Sequence, residues 1–272
     1  SKHDLCDWRL DMSLIINGTE RDTLIIGKSI FKYVTDWGSI ATKNAQLHNS
    51  MYRGQNLGSF NETFANDINN GTFNNMWVGD YFIVNNHTYK IAGFNYKCGH
   101  EENTGLANHL IMITDVLGRH DMNSTDTTEG GFAGSSMFKD EIPVVEEQLA
   151  TDFGEHLLKF KSYLATSIDS SGAPNGGQWY ELTANLCNSA MWWGSPSPYS
   201  NNKNGTKYNI GDEDTQLPIM KLHTAEQSSG SNYVWLRDIY NSSSFARANR
   251  DGSAYWYRAS DSNDVRAFFL IG

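Results

Sequence analysis

Residues able to do covalent or proton-transfer chemistry are few in this chain and far apart. Two compact acid–histidine groups occur, His100 with Glu101 and Glu102, and His120 with Asp121. A histidine beside a carboxylate can relay a proton, but both groups sit in polar loop sequence, where such residues are ordinarily solvated. The cysteines Cys6, Cys98 and Cys187 form no C-x-x-C spacing. They fit neither a zinc ribbon nor a secreted disulfide framework, and read as reduced thiols in a protein assembled in a cytoplasm. No H-E-x-x-H, G-x-S-x-G or P-loop pattern is present. Gly211-Asp212-Glu213-Asp214 offers hard oxygen ligands for calcium without the EF-hand order. A pair of carboxylates converging in space for glycoside cleavage needs no sequence motif, so a glycan depolymerase is kept as a third reading. The expectation is a protein that is not an enzyme, with no cofactor and no metal.

The chemistry that the sequence does concentrate is that of recognition. Between Trp235 and Val265 the chain reads WLRDIYNSSSFARANRDGSAYWYRASDSNDV. Small or apolar residues at Phe245, Ala246, Ala248, Gly252, Ala254 and Ala259 punctuate long polar and aromatic ones. The spacing predicts that the small residues pack on a frame while the intervening side chains project. The candidate ligand-binding residues are therefore Arg247, Asn249, Arg250, Asp251, Ser253, Tyr255, Trp256, Tyr257, Arg258, Asp261 and Asn263. Tyr, Asn, Ser and Arg are the side chains of adaptable binding surfaces, giving broad amphipathic contact at little entropic cost. The plainer alternative is a strand pair whose polar face is simply solvated. Trp235, Arg237, Asp238 and Arg266 read as scaffold at the base of this segment, with Arg237 and Asp238 as a pinning ion pair. Trp192-Trp193-Gly194 offers either a platform for a sugar ring or core packing.

Composition agrees with recognition. A net charge of −10 repels phosphate backbones and anionic lipid, so nucleic acid is not an expected partner. No apolar run is long enough for a membrane helix, so no membrane insertion is expected. Aromatic residues reach 12% while charged residues total only 19%, a balance closer to an interface than to a typical cytosolic enzyme. The sequons at Asn17, Asn61, Asn70, Asn86, Asn123, Asn204 and Asn241 read as accidents of an Asn- and Thr-rich chain.

The elements that must position these residues read as α+β. Ser13–Ile16 and Thr23–Ile26 around Asn17-Gly18 suggest a hairpin, and Lys28–Tyr52 an amphipathic helix, either packed on the main domain or bundled with its copies. Residues 1–50 are thus assigned to attachment or oligomerisation, and 51–272 to the binding domain. A helix ending near Gly71, strands at Trp77–Val84, His87–Phe94 and Leu110–Thr114, and helices over Ile142–Ala150 and Thr151–Leu158 follow. A strand begins at Leu164-Ala165, a helix spans Gln178–Met191, and Pro196–Asp214 is a polar loop. Tyr233–Leu236 and Val265–Ile271 are predicted to pair within one sheet, holding residues between them as an exposed excursion.

A family resemblance runs through residues 48–272. Tyr52-Arg53-Gly54-Gln55-Asn56-Leu57-Gly58, Gly71-Thr72-Phe73, Val78-Gly79-Asp80-Tyr81-Phe82, Met122-Asn123-Ser124-Thr125, Gly130-Gly131-Phe132-Ala133-Gly134-Ser135 and Gly177–Tyr180 occur in order. They are followed by Trp235-Leu236-Arg237-Asp238 and Val265-Arg266-Ala267-Phe268. Together these resemble virion proteins of phages of gut Firmicutes. The resemblance implies a C-type-lectin-like domain with long loops, in the branch that includes phage tropism determinants and formylglycine-generating enzymes. Formylglycine generation needs a reactive cysteine pair, and Cys98 and Cys187 sit in unrelated contexts. The ending also resembles the variable region of proteins diversified by retroelements. The implied function is a tail-tip or fibre protein of the virion, a homo-oligomer with a trimer favoured, binding a host cell-surface protein or glycan. A structural decoration or head fibre is the alternative.

Overall fold

The computed structural model describes residues 37–96, 103, 105–194, 215–228 and 233–272, with strand backbone at 14–16, 19–21, 23–26 and 29–32. Cys6, Cys98, the His100–Glu102 group and all of Pro196–Asp214, with its calcium candidate, lie outside the described residues. Among the described residues no helix is long and apolar enough to cross a membrane.

The chain opens with two hairpins. β1 (Leu14–Ile16) pairs with β2 (Thr19–Arg21), and β3 (Thr23–Ile26) with β4 (Ser29–Lys32). Leu14–Ile16 thus pairs across the expected Asn17-Gly18 position, but with 19–21 and not with Thr23–Ile26, which pairs onward. Ser29–Lys32 consequently goes into a strand, and the helix α1 (Trp37–His48) starts nine residues later than its apolar spacing suggests. The helix buries Ala41, Ala45 and His48. The His48 ring stacks on Trp77 at 4.4 Å, and its Nδ1 donates to the Met76 carbonyl. This face of the helix therefore packs on its own domain, while Leu47 and Met51 of the expected stripe stay exposed.

Asn61 then caps α2 (Glu62–Asn69), its Oδ1 accepting from the Thr63 and Phe64 amides, which satisfies donors that a helix start leaves unpaired. Before the next strand, the Asp80 carboxylate is fully buried and gathers four donors. Arg53 Nε and Nη2, the Gln55 amide and the Trp77 amide all reach it within 3.1 Å. Gly79, at φ 86°, backs onto the Tyr52 ring, where any Cβ would lie 2.1 Å from a ring carbon. This is why the strand begins at Tyr81 and not at Trp77. β5 (Tyr81–Val84) and β6 (His87–Phe94) flank Asn85 and Asn86, both at positive φ, as a type I′ hairpin turn requires.

β7 (Leu110–Thr114) is buried at every residue, and β8 (Arg119–His120) follows. A single π-helical stretch at 137–141 leads into α3 (Ile142–Phe153). Beyond it, Leu157–Leu158 is not helical; it forms β9 and adds to a sheet edge. β10 (Phe160–Ile168) and β11 (Pro174–Leu182) make a long separate hairpin, and β12 (Ala184–Leu186) precedes α4 (Ser189–Trp193). Of the helix expected over Gln178–Met191, only 189–191 are helical, at the start of α4. Trp179, Leu182 and Leu186 happen to fall at helical spacing, but the extended pairing with 160–168 places Trp179 edge-on to Tyr163 at 5.3 Å.

After α5 (Pro218–Leu222) come β13 (Val234–Asn241), β14 (Ser244–Ala248), β15 (Ala254–Arg258), β16 (Asn263–Asp264) and β17 (Ala267–Ile271). Two sheets organise the α+β body. One runs β12-β17-β7-β6-β5, with β9 continuing the β12 edge; the other runs β15-β14-β13-β16-β8. The expected pairing of 233–236 with 265–271 is therefore not found, because the two segments lie in different sheets. β13 meets the returning chain at Asp264 instead, in parallel. The Val265 amide and carbonyl then bond to residues 117–118, and the chain crosses to the other sheet. The pairing expected from the apolar ends and polar interior of this segment is corrected on this point, and it lends no support to a lectin-like assignment. All five residues of β17 are buried, so Phe268 and Phe269 each contribute about 1.5–3 kcal/mol of apolar burial.

Candidate recognition site

The segment singled out by its side-chain chemistry is a β meander and not an excursion of loops. β14 lies between β13 and the edge strand β15, with Phe245 opposite Tyr257, Ala246 opposite Trp256 and Arg247 opposite Tyr255. Cross-strand partners share a face, so Arg247, Tyr255 and Tyr257 converge. Phe245, Ala246, Ala248 and Ala259 are buried in the core, as their small or apolar character suggests.

Arg247 departs from expectation. It is only 6% exposed, although its place in the pattern predicts a projecting side chain. Its guanidinium lies 3.8 Å from the centre of the Tyr233 ring, 3.9 Å from Tyr257 and 5.5 Å from Tyr255. Rings on several sides replace water by cation–π attraction. Burial nevertheless pushes the Arg247 pKa downward, against the pull of the three tyrosines and Asp261. Asn263 is buried as well and accepts from Arg247 Nη1 at 3.2 Å; it supports the arginine from within the frame.

Beside this cage an open pocket of about 350 Å³ is lined by Tyr233, Arg247, Asn249, Arg250, Asp251 and Tyr255. Five of the six were candidates from sequence; Tyr233 was not. It precedes the strand by one residue, and only the pairing of Trp235 with Arg247 brings it alongside. The β14–β15 turn is held firmly. The Asn249 amide donates to the Ser253 carbonyl, Asp251 accepts from the Ser253 amide and hydroxyl, and Trp193 Nε1 donates to the Gly252 carbonyl at 2.8 Å. The Ser228 hydroxyl adds a bond to the Arg250 carbonyl. Tyr255 and Tyr257 remain 38% and 37% exposed.

The remaining candidates point elsewhere. Trp256 stacks on Tyr240 at 5.1 Å on the other face of the sheet. Arg258 reaches Asp126 at 3.8 Å, and the Ser260 hydroxyl and amide bond the same carboxylate and hold it below the usual range. Trp192 is buried core, whereas Trp193 braces the pocket turn.

Four residues read as scaffold are in the frame. Trp235 is buried and donates to the His120 carbonyl. Arg237 and Asp238 both grip the 186–191 segment: Arg237 donates to the Leu186 carbonyl, and Asp238 accepts from the Ser189 amide and hydroxyl. Desolvation pushes the Asp238 carboxyl up, with Arg237 opposing it. Arg266 bonds the Thr114 carbonyl and Glu226.

Other polar clusters are structural in geometry. His120 pairs with Glu141 at 3.0 Å. Asp152 ties the β5–β6 hairpin to α3 through Asn85, His87 and the Tyr89 hydroxyl. Glu62, Glu155 and His156 come within 4.8 Å of one another and could hold a cation, with both carboxylates on open surface. No family model, curated protein or solved structure matches the chain.

Proposed function

We propose that this chain is a recognition protein that binds a host-surface molecule through the pocket and tyrosines of the β13–β15 meander. The observation that carries the reading is the convergence of Tyr233, Tyr255 and Tyr257 around a nearly buried arginine, beside an open pocket on a braced turn. Rigid aromatic anchors with a central arginine are the makings of a binding hot spot. Among the described residues Asp251 is the one carboxylate lining the pocket, and it closes its own turn through Ser253. That use favours binding over paired-carboxylate glycoside cleavage, which sets two carboxyl groups facing across a scissile bond.

The resemblance to virion proteins supplies the context: a phage tail-tip or fibre protein, carried on the virion and meeting a bacterial surface. The finer lectin-like classification loses the strand pairing expected of it, and the binding reading does not depend on it. A homo-oligomer, with a trimer favoured, suits such a role because several weak sites act together. Ala41, Ala45 and His48 of the helical stripe that motivated it are used within the chain, whereas Leu47 and Met51 stay exposed; sedimentation would test the oligomer. The functional test is binding of the labelled protein to intact cells of a panel of gut Firmicutes. Saturable binding to some strains, lost with Tyr255→Ala, is the expected result. Equal binding by the variant, or none to any strain, overturns the proposal.

A further inference from the structure

We infer that the pocket beside Arg247 takes an anionic group, a carboxylate or a phosphate, carried on a hydroxylated unit of the ligand. The inference rests on the binding reading above and names the class of ligand.

The argument begins with Arg247. A guanidinium carries five N–H donors, and among the described residues a single one is engaged, by the neutral amide oxygen of Asn263. Its Nε is sealed from solvent and has no hydrogen-bond partner among the described residues. No carboxylate lies within ion-pair distance of it among those residues; Asp261 acts from farther away. A nearly buried cation without a counter-ion is costly, and a hydrogen-bonded anion relieves that cost. Tyrosine faces soften the penalty but do not supply acceptors.

The pocket wall extends the same preference. Arg250 is exposed, lies 5.1 Å from the Tyr233 ring and lines the pocket beside Arg247. Asp251 is exposed, and its carboxylate accepts from the Ser253 amide and hydroxyl. Two guanidinium groups against one committed carboxylate make this a positive spot on a chain of net charge −10. Such a focus of opposite sign draws an anion even when the whole molecule repels it. Tyr233 and Tyr255 offer ring faces to the apolar side of a sugar or polyol. The volume sits at the low end of small-molecule pockets, about 300–1,000 Å³, so one such unit fits.

Titration calorimetry on the full chain tests this with three probes: glucuronic acid, glycerol 3-phosphate and, as the neutral counterpart, glucose. One of the anions should bind at least about tenfold more tightly than glucose, since charge-assisted hydrogen bonds are roughly twice as strong as neutral ones. Its affinity should fall as salt rises, and fall again in Arg250→Gln, an exposed change that spares the fold. Preference for glucuronic acid points to an acidic polysaccharide, and preference for glycerol phosphate to a phosphate polymer; either supports the inference. Glucose binding as tightly as both anions, or no anion binding at concentrations on the order of 10 mM, overturns it. Cell binding separates the two levels. Adsorption lost in Tyr255→Ala but unchanged in Arg250→Gln and in high salt leaves the recognition site standing and removes the anion. Adsorption unchanged in both variants removes the site itself.

Discussion

The guanidinium of Arg247 and the ring of Tyr233 stack 3.8 Å apart, although fourteen positions separate them in the chain. The contact joins the residue just before β13 to the penultimate residue of β14 and forms one wall of the pocket. Tyr233→Ala should therefore weaken both binding and stability. The lost cation–π contact is worth about 0.5–2 kcal/mol. Chemical denaturation paired with the cell-binding measurement checks this. Unchanged values in both would show that the stacking carries no energy.

Tyr255 and Tyr257 are nearly equally exposed but not equivalent. Tyr257 lies 3.9 Å from Arg247, while Tyr255 is 5.5 Å away and lines the pocket. Tyr255→Ala should cost binding on the order of 1–4 kcal/mol while shifting stability by less than about 0.5 kcal/mol. Tyr257→Ala should lower the melting temperature more. An early-melting Tyr255→Ala that still binds would place Tyr255 in the frame.

Gly252 sits at φ 80° in the turn that carries Arg250 and Asp251, and its carbonyl receives Trp193 Nε1. A Cβ there meets Gln227 Cβ at 3.3 Å and forces an L-residue into the left-handed region. Gly252→Val should destabilise by about 1–2 kcal/mol and loosen the pocket. A thermal melt matching the parent would argue against a fixed turn.

Asp80 is the hub of the segment before β5. Replacing it by alanine leaves Arg53 and two backbone amides without their acceptor. Removing one partner of a buried pair costs about 3–5 kcal/mol, so Asp80→Ala should unfold near or below physiological temperature. Circular dichroism melting reads this directly. A loss below about 1 kcal/mol, the scale of an exposed pair, would contradict the role.

His48 sets a pH dependence. Burial holds its pKa below the usual 6.5, partly countered by its bond to the Met76 carbonyl. A depressed folded pKa means the unfolded chain takes up the proton first. The associated stability is complete above pH 6.5 and is lost as pH falls through the lowered folded value. Melting temperature should drop on acidification from neutrality, and His48→Gln should flatten that slope. An unchanged slope in the variant would assign it to other groups.

Local features were legible in the residues themselves. Asn85-Asn86 marks the β5–β6 turn because both positions tolerate positive φ, and the runs Leu110–Thr114 and Ala267–Ile271 announce strands buried on both faces. The site segment was legible as chemistry, since tyrosine, arginine and asparagine between small residues have that character in any fold. Helical spacing misled over Gln178–Met191, because a few apolar residues fit two periods and the decision belonged to the partner strand 160–168. Tertiary structure alone decided that 234–241 and 267–271 occupy different sheets, that Arg247 is buried and that Tyr233 joins it. Burial and neighbourhood depend on which strands pair across long stretches of chain. That pairing is fixed by the summed packing of both sheets, a quantity no single segment carries.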